Sequence, residues 1–125
     1  MSVHIKEDVP PMAKKGTPGN WKLVKIYEEP LKKSVIERLA MDILERARTE
    51  ERYFIELDEP GATVVQMGQY RIAVCRPPFS ERLEITIVRP ILKVSLMDYN
   101  LSDKLIDRLR HRAEGILVAG PPGAG

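Results

Sequence analysis

YFIELDEPGATVVQMGQYRIAVCRPPFSERLEITIVR (residues 53–89) holds four short runs rich in apolar, β-branched and aromatic residues, separated by turn chemistry. Tyr53 to Leu57 runs into Asp58-Glu59-Pro60-Gly61, and Ala62 to Met67 into Gly68-Gln69. Tyr70 to Cys75 then runs into the loop Arg76 to Arg82, and Leu83 to Arg89 closes the series. Connections this short favour antiparallel neighbours, because a parallel return needs a crossover of a dozen or more residues. Upstream, Val35, Ile36, Leu39, Ala40, Ile43, Leu44 and Ala47 repeat at the helical period, which predicts an amphipathic helix from Ser34 to Thr49. Ser34 with Glu37 reads as a capping box, and Asp42 with Arg46 as a pair one turn apart. Before the helix, WKLVKIY (21–27) alternates like a half-buried strand that ends before Pro30. One helix and a meander give an α+β fold of two layers, an antiparallel sheet packed by one long amphipathic helix over residues 21–98. Residues 1–20, punctuated by Pro10, Pro11, Gly16, Pro18 and Gly19, read as a linker. Such a start suggests either that Met1 is an internal methionine of a longer protein or that the tail is naturally disordered.

Bulk properties narrow the function classes. The chain has 125 residues, 43% hydrophobic and 30% charged, with a net charge of +2, which gives no strong basic excess of the kind dedicated nucleic-acid coats carry. No apolar run approaches the ~20 residues of a membrane span, and the first residues lack the apolar centre of a signal peptide. The single cysteine, Cys75, rules out an internal disulfide, is expected as a packed core thiol, and points to a reducing, cytoplasmic setting. His4 and His111 stand far apart in sequence, and no metal-ligand spacing, paired-carboxylate motif or nucleophile elbow is present, so no catalytic residue and no metal site is assigned.

The last third changes character. Leu92 to Leu96 suggests a short strand; Asn100 and Ser102 offer caps to a helix carrying Leu105, Ile106, Leu109 and Ala113. Arg108, Arg110, His111 and Arg112 fall at its last turn, where cations are favoured by the helix dipole. Gly115 stops it, and Ile116 to Ala119 is wholly apolar, as in a strand buried on both faces of a parallel sheet. Gly120-Pro121-Pro122-Gly123-Ala124-Gly125 follows directly. Gly120 and Gly125 have the spacing of a phosphate-binding loop, in which glycines let successive amides point into one hollow. The lysine and hydroxyl residue of that motif would come next, so the chain stops one residue short of the lysine. Without sheet neighbours, residues 115–125 are expected to be disordered, parked against another chain, or paired as an added edge strand.

VVQMGQYRIAVCRPPFSERLEITIVRP (64–90) and LSDKLIDRLRHRAEGILVAGPPGAG (101–125) resemble the archaeal PilT/PINc-type ATPases, relatives of the type II and type IV secretion ATPases, and the likeness extends over the whole chain. The resemblance implies an N-terminal α+β domain followed, from about residue 99, by the start of a RecA-like core, with a PIN domain upstream and a KH-like domain downstream. It implies a hexameric ring and ATP with Mg2+ in the full-length protein, with no nucleotide bound and no hydrolysis in this chain alone. In that family a segment of the form R-[VI]-x…P…R in the N-terminal domain carries arginines that can reach the nucleotide; Arg71-Ile72 matches its start and Arg89 its end, and Arg76 and Arg82 in the proline-bearing loop are further candidates. Arg89 shares a strand face with Leu83, Ile85 and Ile87. The alternative is that all four are surface or sheet-edge arginines. A second functional reading is a nucleic-acid-binding module, with Arg76, Arg82 and the Arg108–Arg112 cluster tracking a backbone, although aromatics are only 6% and no stacking platform is visible in the sequence. A third is a protein-interaction domain.

Overall fold

The computed structural model describes residues 1–17, 20–89, 95–112 and 114–120. The chain divides into two units, Met1–Ile91 and Leu92–Gly125.

The first unit contains β1 (Ser2–Lys6), β2 (Val9–Thr17), β3 (Asn20–Lys25), α1 (Lys33–Thr49), β4 (Tyr53–Glu59), β5 (Ala62–Met67), β6 (Tyr70–Cys75) and β7 (Glu84–Val88). The strands form one seven-stranded sheet in the order β3-β2-β1-β7-β6-β5-β4. Every pairing is antiparallel. The meander β4 to β7 is the one expected from residues 53–89, with β4 running on to Glu59. The α+β character and the long helix packed on the sheet also hold.

The described residues of the 1–20 stretch are not a linker. They supply β1, β2 and the first residue of β3, and β1 joins the two meanders by pairing with β7 from Ser2↔Val88 to Lys6↔Glu84. The prolines that suggested a linker are accommodated by an irregularity. The β1–β2 register shifts between His4 and Lys6, so Pro10 and Pro11 fall where the ladder does not require their missing N–H groups. The Pro11 carbonyl still accepts the Ile26 N–H at 2.8 Å. The compact unit therefore takes in residues before Trp21 as well, and the chain divides after Ile91.

Strand alternation gives the sheet two faces. On one, Val65, Ile72, Val74 and Ile85 meet Ile36, Ala40, Ile43 and Ala47 of α1, and together they form the buried core. Those four helix positions form a narrow stripe at spacings of four, three and four, so each turn of α1 places one side chain on the sheet. Each fully buried aliphatic side chain contributes roughly 1.5–3 kcal/mol over leaving it in water. Val35, expected on this stripe, lies about 100° round the helix from Ile36 and is 47% exposed. Ser34 does not cap the helix. α1 begins at Lys33 with Lys32 in the cap position and no side-chain cap bond, so Ser34 already lies inside the first turn. Asp42–Arg46 is not among the ion pairs of the described residues. Cys75 is not a core thiol. It alternates with Ile72 and Val74 and lies half-buried on the opposite face, level with Glu84.

The Leu92–Gly125 unit carries a 3-10 turn (Leu96–Tyr99) and α2 (Asp103–His111). The turn has a reciprocal cap: Asp98 accepts the Ser95 N–H at 2.7 Å, and Ser95 caps in return. Asn100 ends it in the left-handed conformation at φ 49°. Ser102 stands at the start of α2 without a side-chain cap bond. The strand expected over Leu92 to Leu96 is not formed at Leu96, which opens the 3-10 turn; 92–94 and Ala113 lie outside the described residues. Ile116 to Ala119 forms no strand, and Leu117 and Val118 are 94% and 87% exposed.

Candidate functional site

The four candidate arginines divide between the two ends of the sheet. At the end where β6 enters the loop of residues 76–83, Arg76 and Arg82 lie near the turns Glu7-Asp8 and Pro60-Gly61. The Arg76 N–H donates to the Gly61 carbonyl at 2.8 Å, and its guanidinium lies 3.5 Å from the Thr63 hydroxyl. Thr63, 1% exposed, donates in turn to Asp58 at 3.0 Å. Arg82 pairs with Asp8, which holds a left-handed backbone at φ 63°. Gly61 is required here. At φ +88° its backbone suits glycine, and an added Cβ would stand 2.9 Å from the Arg76 carbonyl oxygen.

A cleft of about 580 Å³ lies between this loop and α1, with Ala40 and Val74 in its lining. Lys33, Arg76 and Arg82 face Glu7, Glu37 and Glu81 in that lining, so the cleft carries both charge signs and does not favour an anion on electrostatics alone.

Arg71 and Arg89 lie at the opposite end and on opposite faces. Arg89 follows Ile85 and Ile87 on the helix side, as alternation predicts. Its guanidinium is 3.1 Å from Gln69 Oε1 and 5.7 Å from the centroid of the Tyr70 ring, so it caps the end of the core with its head exposed. Arg71 points from the other face and pairs with Glu56 at 2.7 Å, at the register irregularity of β4. Both partners are substantially exposed, so this pair adds little to stability. On α2, Arg108 and Arg110 belong to the exposed last turn, His111 bonds Asp107 at 2.9 Å, and Arg112 follows as the C-cap. Of the phosphate-loop residues, only Gly120 is described; Pro121, Pro122, Gly123, Ala124 and Gly125 lie outside the described residues.

The sheet face away from α1 was not singled out from the sequence. Within the Met1–Ile91 unit the one helix packs on β4, β5 and β7 from the other side. The uncovered face carries Trp21, 54% exposed, with the Lys14 ammonium 3.9 Å from its ring centroid. It also carries Phe54, 56% exposed, and His4, whose ring lies 2.9 Å from the Ser2 hydroxyl and 3.4 Å from that of Thr86. WKLVKIY, expected to be half-buried, is instead mostly exposed: Trp21 and Leu23 are 54% and 51% exposed, and within β3 only Val24 is partly buried. What alternation could not show was which side the helix leaves open. Among the described residues no cluster of His, Cys, Asp and Glu could hold a metal ion, and no helix is long and apolar enough to cross a membrane.

No protein-family model matches the chain. It is 54% identical, over all 125 of its residues, to an uncharacterised KH and PIN-domain containing protein of Methanocaldococcus jannaschii, covering 19% of that protein. It is 48% identical over the same 125 residues to the Holliday junction branch migration ATPase PINA of Sulfolobus acidocaldarius, covering 24% of it. The chain thus spans between about a fifth and a quarter of the length of these curated relatives. Along its whole length the chain is similar to a part of each of these two proteins, one of them named for KH and PIN domains.

Proposed function

We propose that this chain is the α+β portion of an archaeal PIN- and KH-type ATPase that acts on nucleic acid, and that it contributes nucleic-acid contacts to that protein. The observation that carries the reading is the 48% identity, along the entire chain, to a protein named for branch migration of Holliday junctions. The KH and PIN-domain name of the second relative supports it. Fluorescence anisotropy with a labelled four-way junction, a duplex and a single strand tests it. Binding at about 50 mM salt that falls steeply by about 200 mM is the expected result, because cations that neutralise phosphates release counterions. No binding to any of the three at low salt overturns the reading.

A second reading concerns the nucleotide site of the full-length protein, and the Gly120–Gly125 spacing after Ile116 to Ala119 favours it, together with the ATPase name of one relative. In this reading Gly120 to Gly125 belongs to a phosphate-binding loop of a PilT-like core. The full-length hexameric ring binds ATP and Mg2+, and Arg71, Arg76, Arg82 or Arg89 approaches the phosphates of a neighbouring subunit. In this reading one nucleotide meets Arg76 with Arg82, or Arg71 or Arg89 singly, because the last two lie on opposite faces at the other end of the sheet. Phosphate release by the 125-residue chain is expected to be absent. In the full-length protein, Arg76→Ala and Arg89→Ala tested separately should slow turnover unequally, and equal or absent effects count against the arrangement.

A further inference from the structure

We infer that the uncovered face of the Met1–Ile91 sheet is a platform for single-stranded nucleic acid, which crosses the strands from Trp21 and Lys14 near one edge to Arg71 and Phe54 near the other; this rests on the nucleic-acid reading above.

The ladder registers fix which side chains stand in line across the sheet. One line runs from Leu23 through Lys14, Ser2, Val88 and Arg71 to Gln66 and Phe54, and it crosses all seven strands. It contains two cations, two hydrogen-bonding neutral side chains, an exposed aromatic ring and no carboxylate. The next line carries Lys25, His4 and Thr86 with otherwise apolar side chains, again without a carboxylate among its ladder partners. Acids enter only beside these lines. Glu56 reaches Arg71 from the β4 irregularity, Glu28 meets Lys25 at 3.1 Å from beyond β3, and Glu84 meets Lys6 at 3.8 Å one line further on. Lys14, Lys25 and Arg71 thus stand on the face away from α1, the last two each paired with a glutamate, while Lys15 and Lys22 are register partners on the other face.

Charge and aromatic placement together select the occupant. A polyanion gains from the two acid-free lines, and bases with a flat π-face gain from Trp21 and Phe54, whose rings are about half exposed at opposite sides of the sheet. Six inter-strand steps of about 4.8 Å give a track roughly 29 Å long. A duplex could not lay successive bases against side chains that stand up from a sheet, whereas a single strand can turn its bases toward the protein.

Trp21 is the only tryptophan, so its fluorescence reports stacking without a label. Titration of the 125-residue chain with a deoxythymidine oligonucleotide is expected to quench Trp21 saturably and to lose the quenching at high salt. Phe54→Ala should weaken binding roughly 5- to 150-fold, the range for removing one stacked base. Lys14→Gln and Arg71→Gln should each flatten the logarithmic salt dependence by about 0.7. Arg38→Gln, on the exposed side of α1, should change neither. If binding survives the open-face substitutions and is lost instead in Arg76→Gln or Arg108→Gln, the platform is overturned and the broader nucleic-acid reading stands. If no oligonucleotide, duplex or junction binds at low salt, both fall.

Discussion

Adjacent residues of α1 offer the sharpest test of the fold. Ile36 is 0% exposed and sits among the core side chains, whereas Val35 is 47% exposed. Ile36→Val removes one buried methyl group and should cost roughly 0.5–1.5 kcal/mol, and Ile36→Ala roughly 2–5 kcal/mol because a cavity is left behind. Against a total stability of about 5–15 kcal/mol for a domain of ordinary size, the alanine variant loses a large part of the margin. For a unit of this length each kcal/mol lowers Tm by about 4–8 °C, so the valine variant should melt about 2–12 °C lower. Val35→Ala gains up to roughly 0.7 kcal/mol of helix propensity and loses half-wet contact area, leaving a net change within about 0.5 kcal/mol. Urea and thermal unfolding followed by far-ultraviolet circular dichroism measures all three. If Val35→Ala costs more than Ile36→Val, the helix is rotated from the register described and the core assignment fails.

Three further outcomes follow from local geometry. Gly61→Ala should destabilise by roughly 1–3 kcal/mol, because φ +88° strains an L side chain and its Cβ would press on the Arg76 carbonyl; Gly68→Ala, with nothing within 4 Å, should cost less, and equal urea midpoints for the two refute the account. Burial, and then the charge of Glu84, push the Cys75 thiol above its ordinary value. Its contribution to stability is therefore present below the free-thiol value and lost as pH rises through the folded one, and alkylation of the native chain near pH 8 should be slower than of a free cysteine of pKa about 8.5; faster alkylation contradicts the placement. The Ser95 N–H, and then the Ser95 hydroxyl, hold the Asp98 carboxylate below its ordinary value, so the 3-10 cap persists above about pH 3.9 and is lost as pH falls through the lowered value. The Ser95 amide resonance should titrate below that ordinary value, and a midpoint above it argues against the cap.

What the sequence disclosed was mostly what short-range pattern can carry. The helix over α1 and the strands β4 to β7 were legible because a 3.6-residue period and a two-residue alternation are written into consecutive side chains. β1 and β2 were not. Pro10, Pro11, Lys14 and Lys15 imitate a solvated linker, and the second ladder of β1 comes from Glu84–Val88, far along the chain. The Ser34–Glu37 cap failed because helix initiation was decided one residue earlier, at Lys32 and Lys33. For the candidate site, alternation put Arg89 on the face of Leu83, Ile85 and Ile87. It could not tell that Arg76 and Arg82 would gather at one end of the sheet while the other two stood at the opposite end. The aromatic platform was hidden for a related reason. Trp21 and Phe54 are distant in sequence, and they become two sides of one surface only when β1 brings the meanders together.

That placement of β1 also governs how the protein can be made. Within this unit β1 completes its second ladder only after Glu84–Val88 has been synthesised, so the sheet cannot close before then. Until then β2–β3 can exist only as a hairpin held to β1, and the helix-covered half lacks the strand that flanks β7. Non-local closure of this kind slows folding relative to neighbour-by-neighbour assembly. It also exposes the open edge of β7 to other chains in the interval, so crowded expression should favour intermolecular pairing at that edge before β1 occupies it.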